Sequence, residues 1–285
     1  MSLIVGCGYL GRRLARVLRA EGDPVRGVVR SIPSAQRVAE EGIPALLGDL
    51  DERGLLAGST ADELVYYLVP PPAQGREDRR MQRFLEGLAE SGQPRRILYI
   101  STTGVYGDCA GQWVDETWPV NPQVDRARRR WDAEQRLQHW REQTGGELVI
   151  LRVAGIYGPG KLPLARLRKG LPMVAPAQAP WTNRIHVDDL VQACRLAMAR
   201  GRSGEVYNAC DGSPGNMADY FNRVADLAGL PRPPVIDLAE AEGALSAGLR
   251  SYLAESRRLR NDKLLRELGL VLRYPDLEAG LPACF

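Results

Sequence analysis

The feature that most constrains this chain is a cluster of glycines, Gly6-Cys7-Gly8-Tyr9-Leu10-Gly11, set between two kinds of pattern. Before it stands a short apolar run, Leu3 to Val5. After it Leu10, Leu14, Val17 and Leu18 recur at helical spacing until Gly22 and Pro24 end the helix. A strand that passes through G-x-G-x-x-G directly into a helix can turn tightly, bring its backbone close to a pyrophosphate and present a helix N-terminus to the phosphates. The plainer use of the same glycines is a tight turn with no ligand.

The alternation continues beyond this unit. Strands are predicted at 25–29, 44–47, 64–69, 97–101 and 148–153, with helices near 34–41, 77–89 and 124–141 between them. Strands separated by helical stretches predict an α/β chain with a Rossmann-type, doubly wound parallel sheet. From Pro159 onward the texture becomes Pro- and Gly-punctuated, with a helix at 188–199, a strand at 205–208 and helices between Met217 and Leu268. The expected organisation is a nucleotide-binding domain over 1–158 and a small α/β cap over 159–285. Segments at about 181–210 are expected to pack back on the sheet.

Composition narrows the function classes. A formal charge of +3 without like-charge blocks argues against a nucleic-acid partner. Five scattered cysteines, two histidines and no Cys-x-x-Cys pair give no metal-ligand spacing, so no metal is expected, and they leave little material for a Ser- or Cys-His pair. No signal-peptide pattern opens the chain, and no apolar stretch nears the roughly 18 residues that span a bilayer. No membrane partner and a cytoplasmic location are expected.

Three further segments occur in a telling order: Ser101-Thr102-Thr103-Gly104-Val105-Tyr106-Gly107, Leu151-Arg152-Val153-Ala154-Gly155-Ile156-Tyr157-Gly158-Pro159-Gly160 and Arg184-Ile185-His186-Val187-Asp188-Asp189-Leu190. With the glycine loop they resemble the ordered motifs of the extended short-chain dehydrogenase/reductases, the group of NAD-dependent epimerases and dehydratases. The resemblance spans nearly the whole chain. The loop is one residue tighter than the usual G-x-x-G-x-x-G, which marks an atypical subgroup. The larger departure is on the helix after the long loop, where the family carries Tyr-x-x-x-Lys. Aligned on Ala133-Glu134, those positions hold Arg126 and Arg130, and no lysine exists between Met1 and Gly160.

The resemblance implies a cofactor site at Gly6, Gly8, Tyr9, Leu10, Gly11, Asp49, Leu50, Val69, Pro70, Ser101, Arg130, Ala154 and Ile156. The second strand ends at Arg30-Ser31 with no acid, and a guanidinium forks onto a 2′-phosphate that a carboxylate would repel, so the expected cofactor is NADP. Arginine fills 35 of 285 positions, so chance alone could also supply Arg30, and it is the simultaneous absence of an acid that tips the reading to NADP. The catalytic candidates are Thr102, at the family's serine or threonine position, with Arg126 and Arg130. At i, i+4 and i+8, Arg126, Arg130 and Glu134 share one helix face. Arginine does not deprotonate, so neither can be a general acid or base, although either can bind an anionic substrate group. A solvated Arg-rich surface is the competing use of 125–130. His186 reads as a packed or capping residue.

The reading is an NADP(H)-dependent oxidoreductase or epimerase-like enzyme acting on a small polar carbonyl or sugar-nucleotide substrate. Its rival is a catalytically silent NADP(H)-binding sensor or scaffold. Met81, Phe84, Leu85 and Leu88 form an apolar stripe beside the arginine-rich helix, and the family commonly pairs these helices, so a homodimer is expected.

Overall fold

The computed structural model describes residues 1–52 and 60–285. Seven strands, β1 (Ser2–Val5), β2 (Val25–Val29), β3 (Ala45–Leu47), β4 (Leu64–Tyr67), β5 (Arg96–Thr102), β6 (Glu147–Val153) and β7 (Val206–Ala209), form one sheet. Its order is β7-β6-β5-β4-β1-β2-β3, and every neighbouring pair is parallel. The order reverses at β1, which pairs β2 on one side and β4 on the other. A crevice opens there at the carboxyl ends of the strands.

The period-2 alternation of the strands explains the layers. Leu3, Val5, Ile97 and Tyr99 bury against helices α3 (Arg79–Ser91) and α4 (Asp125–Thr144) on one face. Ile4, Leu98 and Ile100 point the other way, toward α1 (Tyr9–Ala20) and α5 (Val187–Arg200). α2 (Ile32–Glu40) adds Val38 to that second layer. The stripe on α3 is consumed inside the protomer: Met81, Phe84 and Leu88 are fully buried against the sheet and α4. Leu85, the fourth residue of that stripe, packs against the same core but stays partly exposed.

The chain does not divide in space at residue 158. Strand β7 and helices α5 and α8 (Asp262–Leu268) complete the sheet layer, with Leu264 and Leu268 in the core beside α5. The cap is built from what remains. α6 (Met217–Leu227) packs Phe221 and Val224 against Tyr157 and Leu167, and α7 (Ala247–Leu253) sits beside a small cluster of Val174, Ala241 and Leu245. Four two-residue or three-residue strand pairs stand apart from the central sheet, among them Gly155–Tyr157 with Arg184–His186 and, within the cap, Met173–Val174 with Val235–Ile236.

One charged network lies inside the sheet layer. Glu134 on α4 is 1% exposed, and Arg152 on β6 meets it at 2.7 Å. Ser101 on β5 donates its hydroxyl to the same carboxylate. Burying two charges is tolerable only when their hydrogen bonds are filled, and here three elements share the cost. Asp211, just past β7, is a less complete case. Its Oδ1 accepts from Ser213 N at 3.0 Å while Oδ2 has no partner among the described residues, and burial pushes its pKa up to about 7.

Two stability measurements follow. Glu134→Ala strands the buried Arg152 charge and should cost about 3–5 kcal/mol in denaturant unfolding; a loss below 1 kcal/mol would show that the network is solvated. Because the folded Asp211 holds its proton to a higher pH than the unfolded chain does, its protonated form supports folding below about pH 4, and that support fades as pH rises toward 7. Unfolding of the wild type and Asp211→Asn from pH 5 to 8 should show the variant gaining relative to the wild type as pH increases.

Candidate functional site

The first strand ends at Val5 and the chain must turn immediately under β4. Gly6 has φ +92°, and a Cβ there would sit 2.9 Å from Val69 Cγ2 and 3.0 Å from Val69 N. Only glycine takes that conformation at that distance without strain. The N–H groups of Gly6 and Cys7 both donate to Val28 O, at 3.0 and 2.9 Å, which fastens the turn to β2. Gly11 lets α1 approach, since a Cβ there would meet Gly6 O and Ile4 Cγ2 at 3.0 Å. Gly8, the N-cap of α1, differs: a Cβ on it would meet nothing within 4 Å, and no side chain caps the helix. The helix N-terminus opens onto free space.

That space is a cavity of about 900 Å³ running across the crevice. Gly6, Gly8, Tyr9, Leu10, Arg30, Asp49, Leu50, Val69, Pro70, Arg130 and Ile156 line it, so the structure gathers most of the expected cofactor residues from six separate segments. Arg30 is solvent-exposed and lies 3.8 Å from Asp51. Asp49 Oδ1 accepts Asp51 N at 2.9 Å, and Asp51 takes Arg80 on both oxygens, at 2.8 and 2.5 Å. The Arg80 hydrogen bond holds the Asp51 pKa below its ordinary range. Arg80 also donates to Pro70 O at 3.0 Å, tying the two sides of the cleft together.

Arg130 forms the floor at the other end. Its Nη1 donates to Ile100 O at 2.9 Å, Val69 O at 3.2 Å and Tyr99 Oη at 3.3 Å, bridging the ends of β4 and β5. An arginine fits where a lysine is expected because its long planar head reaches both strands. Arg126, one turn earlier, goes elsewhere. It donates to the hydroxyl of Ser251, stacks 4.1 Å over the Tyr252 ring and lies 3.8 Å from buried Glu255. Arg126 thus faces the cap and does not line the cofactor cavity.

Four other expected residues are placed differently. Ser101 turns inward to Glu134 because its position in β5 points into the charged core. Ser31 gives its hydroxyl to Ser34 at 3.0 Å, and Ser34 takes its place in the lining. Ala154 is buried in a cluster with Tyr106, Val114 and Leu259. Thr102 ends β5 outside the cavity lining; its Oγ1 accepts Gly104 N at 3.2 Å and caps the 3-10 turn Thr103–Tyr106. His186 is the N-cap of α5, with Nδ1 accepting Asp188 N at 3.2 Å, and burial lowers its pKa. Tyr106 spends its hydroxyl on Asn208 Oδ1 at 2.8 Å.

Sequence reasoning missed Arg12, Ser34, Arg37, Arg80 and Lys161, all of which line the cavity. Ser34 and Arg37 carried a legible signal, since i, i+3 on the helix after Arg30 puts both beside the end of β2. Arg37 Nη2 meets Ser34 Oγ at 3.1 Å. Nothing local marked Arg80 or Lys161.

A family model described as the NAD dependent epimerase/dehydratase family matches residues 2–210. Protein YeeZ of Escherichia coli strain K12 is 30% identical over 285 residues, covering 96% of each chain. The 4-hydroxy-2-methyl-3-oxo-4-farnesyl-3,4-dihydroquinoline-1-oxide ketoreductase of Stigmatella aurantiaca is 27% identical over 243 residues, 79% of this chain and 72% of that one. The structure of a functionally unknown conserved protein from Silicibacter pomeroyi DSS has a TM-score of 0.85 at 36% identity, covering 99% of this chain and 97% of that one. The family match begins on the first strand of the central sheet and ends just past the last, so the whole scaffold of the cleft falls within it, and this chain belongs to the NAD-dependent epimerase/dehydratase family.

Proposed function

We propose that the protein is an NADP(H)-dependent oxidoreductase or epimerase-like enzyme acting on a small polar carbonyl substrate. The observation that carries the reading is the charge at the end of β2, where Arg30, Ser34 and Arg37 line one end of the cavity and no acid ends the strand. Two guanidinium groups and a hydroxyl suit a 2′-phosphate. The nearby acids are already engaged: Asp51 by Arg80, and Asp49 Oδ1 by a backbone N–H. The pyrophosphate would lie at Gly6 to Gly11 against the open N-terminus of α1, the adenine by Asp49 and Leu50, and the nicotinamide ribose by Arg130.

Bound there, the cofactor supplies or accepts the hydride. Thr102 Oγ1 already accepts a backbone N–H, which leaves its hydroxyl proton for a substrate oxygen. Arg130 stays charged and orients an anionic group of the substrate, Arg126 can join it only once released from the cap, and solvent supplies the proton that neither can give. The ketoreductase relative supports a carbonyl as the reacting group. One observation favours the silent sensor instead: Arg126, at the family's proton-donor position, is tied to the cap by Ser251, Tyr252 and Glu255.

Two experiments divide these readings. By calorimetry NADPH should bind more tightly than NADH, and Arg30→Asp should lower NADPH affinity about 10- to 100-fold, the worth of one charge-assisted bond; equal affinities of the unmodified protein would remove the NADP reading. Thr102→Val should leave NADPH affinity unchanged and cut turnover at least tenfold in a carbonyl screen. The pH profile should lack the ionisation of a lysine-activated tyrosine. Turnover untouched by Thr102→Val would place the chemistry elsewhere, and a broad screen with no hydride transfer would leave the sensor.

A further inference from the structure

Six cationic side chains line the cavity, and they are not equivalent. Arg12 pairs with Glu41 at 2.5 Å, and Arg30 and Arg80 share Asp51. Arg130 spends Nη1 on two carbonyls and a phenol. Among the described residues no carboxylate lies within ion-pair distance of the remaining two, Arg37 and Lys161. They stand at different places: Arg37 beside Ser34 near the end of β2, and Lys161 with its ammonium 5.0 Å from the ring centroid of Tyr9, in the glycine loop. An uncompensated cation beside a helix N-terminus that is itself open raises the local positive potential and is stabilised by an anion.

The loop that carries Lys161 is held over the glycine loop by its own contacts. Tyr9 donates its hydroxyl to Pro159 O at 3.0 Å, and burial raises the pKa of that phenol, keeping it a donor. Gly158 has φ +153°, and a Cβ there would fall 2.8 Å from Tyr9 Oη and 2.6 Å from Val187 Cγ1, so no larger residue allows this approach. Lys161 N donates to Gly158 O at 3.0 Å, closing the turn that aims the side chain back across the cleft, while Gly160 between them takes φ +77°. The long flexible stem of lysine suits a part that must yield when a ligand enters and close on it afterwards.

We infer that Lys161 is a pyrophosphate-binding residue: the 158–161 loop, latched by Tyr9, places its ammonium over the glycine loop to grip the bridging phosphates of a bound dinucleotide from the side opposite α1. The inference rests on the dinucleotide reading above but not on the choice between NADP and NAD, since both carry the same pyrophosphate. It divides the work of the two cations that neither an acid nor a backbone carbonyl engages among the described residues, giving the 2′-phosphate to Arg37 and the pyrophosphate to Lys161.

Calorimetric titration of the full chain with NADPH, NADH and adenosine 2′-monophosphate, which has no pyrophosphate, tests this division. Lys161→Met should weaken NADPH and NADH by the same factor, about tenfold, and leave adenosine 2′-monophosphate unchanged. Lys161→Arg should restore most of the loss, and the salt dependence of NADPH binding should flatten in the Met variant. Tyr9→Phe, which frees the loop and leaves Lys161 in place, should weaken both dinucleotides by a smaller factor. Arg37→Met should do the reverse of Lys161→Met, weakening NADPH and adenosine 2′-monophosphate while sparing NADH. Unchanged dinucleotide binding by Lys161→Met, or an equal loss for adenosine 2′-monophosphate, overturns the assignment. If the wild type prefers NADH, only the 2′-phosphate reading fails and the Lys161 comparison stands on NADH; if it binds neither dinucleotide, both fall together.

Discussion

Helix α4 lies where it does because a carboxylate on it is buried. Glu134 has almost no solvent contact, and its charge is met by Arg152 from β6 and by the Ser101 hydroxyl from β5. A pair of this kind adds little net stability over a well-packed apolar one, but it tolerates almost no sliding, because any shift leaves a charge unpaired in the core. It therefore fixes the rotation and height of α4 against two strands. One turn back, Arg130 is delivered to the carbonyls at the ends of β4 and β5, and another turn back, Arg126 is delivered to the cap. A row at i, i+4 and i+8 thus runs from core to cofactor cleft to cap.

The cleft above this row is strongly cationic, yet much of its charge is balanced in place. Arg12 with Glu41, and Arg30 and Arg80 with Asp51, are partial or full ion pairs at the protein surface, each worth little to stability. Their structural value is positional. Arg80 joins the turn after β3 to Pro70, so this end of the cavity is held by a charged clasp where the sheet itself provides few contacts. Arg37 and Lys161 have neither an acid nor a backbone carbonyl as partner among the described residues, whereas Arg130, also without an acid, is held by the carbonyls of Val69 and Ile100. Balanced pairs shape the cleft, and the unbalanced charges leave it with a net positive potential.

The sheet and its helices were legible because buried parallel strands must be apolar runs and their crossover helices must be amphipathic; β2 falls at 25–29 as its residues require, and β5 extends the expected strand by one residue at each end. The glycine loop was legible for the same reason, since the turn under β4 admits no Cβ at Gly6. Side-chain direction at strand ends was not. Ser101 and Thr102 are adjacent, and which one faces the core depends on the pleat and on Glu134, 33 positions from Ser101. Arg126 finds its partner 125 positions away in Ser251, and Arg80 reaches across 29 positions to Asp51. Such contacts leave no periodicity behind them. The α3 stripe shows the converse problem, because an apolar face reads the same whether it meets a neighbouring helix of its own chain or a second subunit.

Two arginines at positions that align with the family's tyrosine and lysine differ in chemistry from a titrating pair. A tyrosine beside a lysine exchanges a proton near neutral pH; two guanidinium groups keep a fixed positive charge at any pH the fold survives. Fixed charge still serves to bind and to orient, and a charge aimed at a developing oxyanion lowers its energy without any proton transfer. Arg126 cannot do this while it stacks on Tyr252 and neighbours Glu255, so its availability depends on the cap segment at 251–255. Arg130 has no such dependence, since its anchors are the ends of β4 and β5. Within this row Arg130 is therefore held by the sheet and Arg126 by the cap.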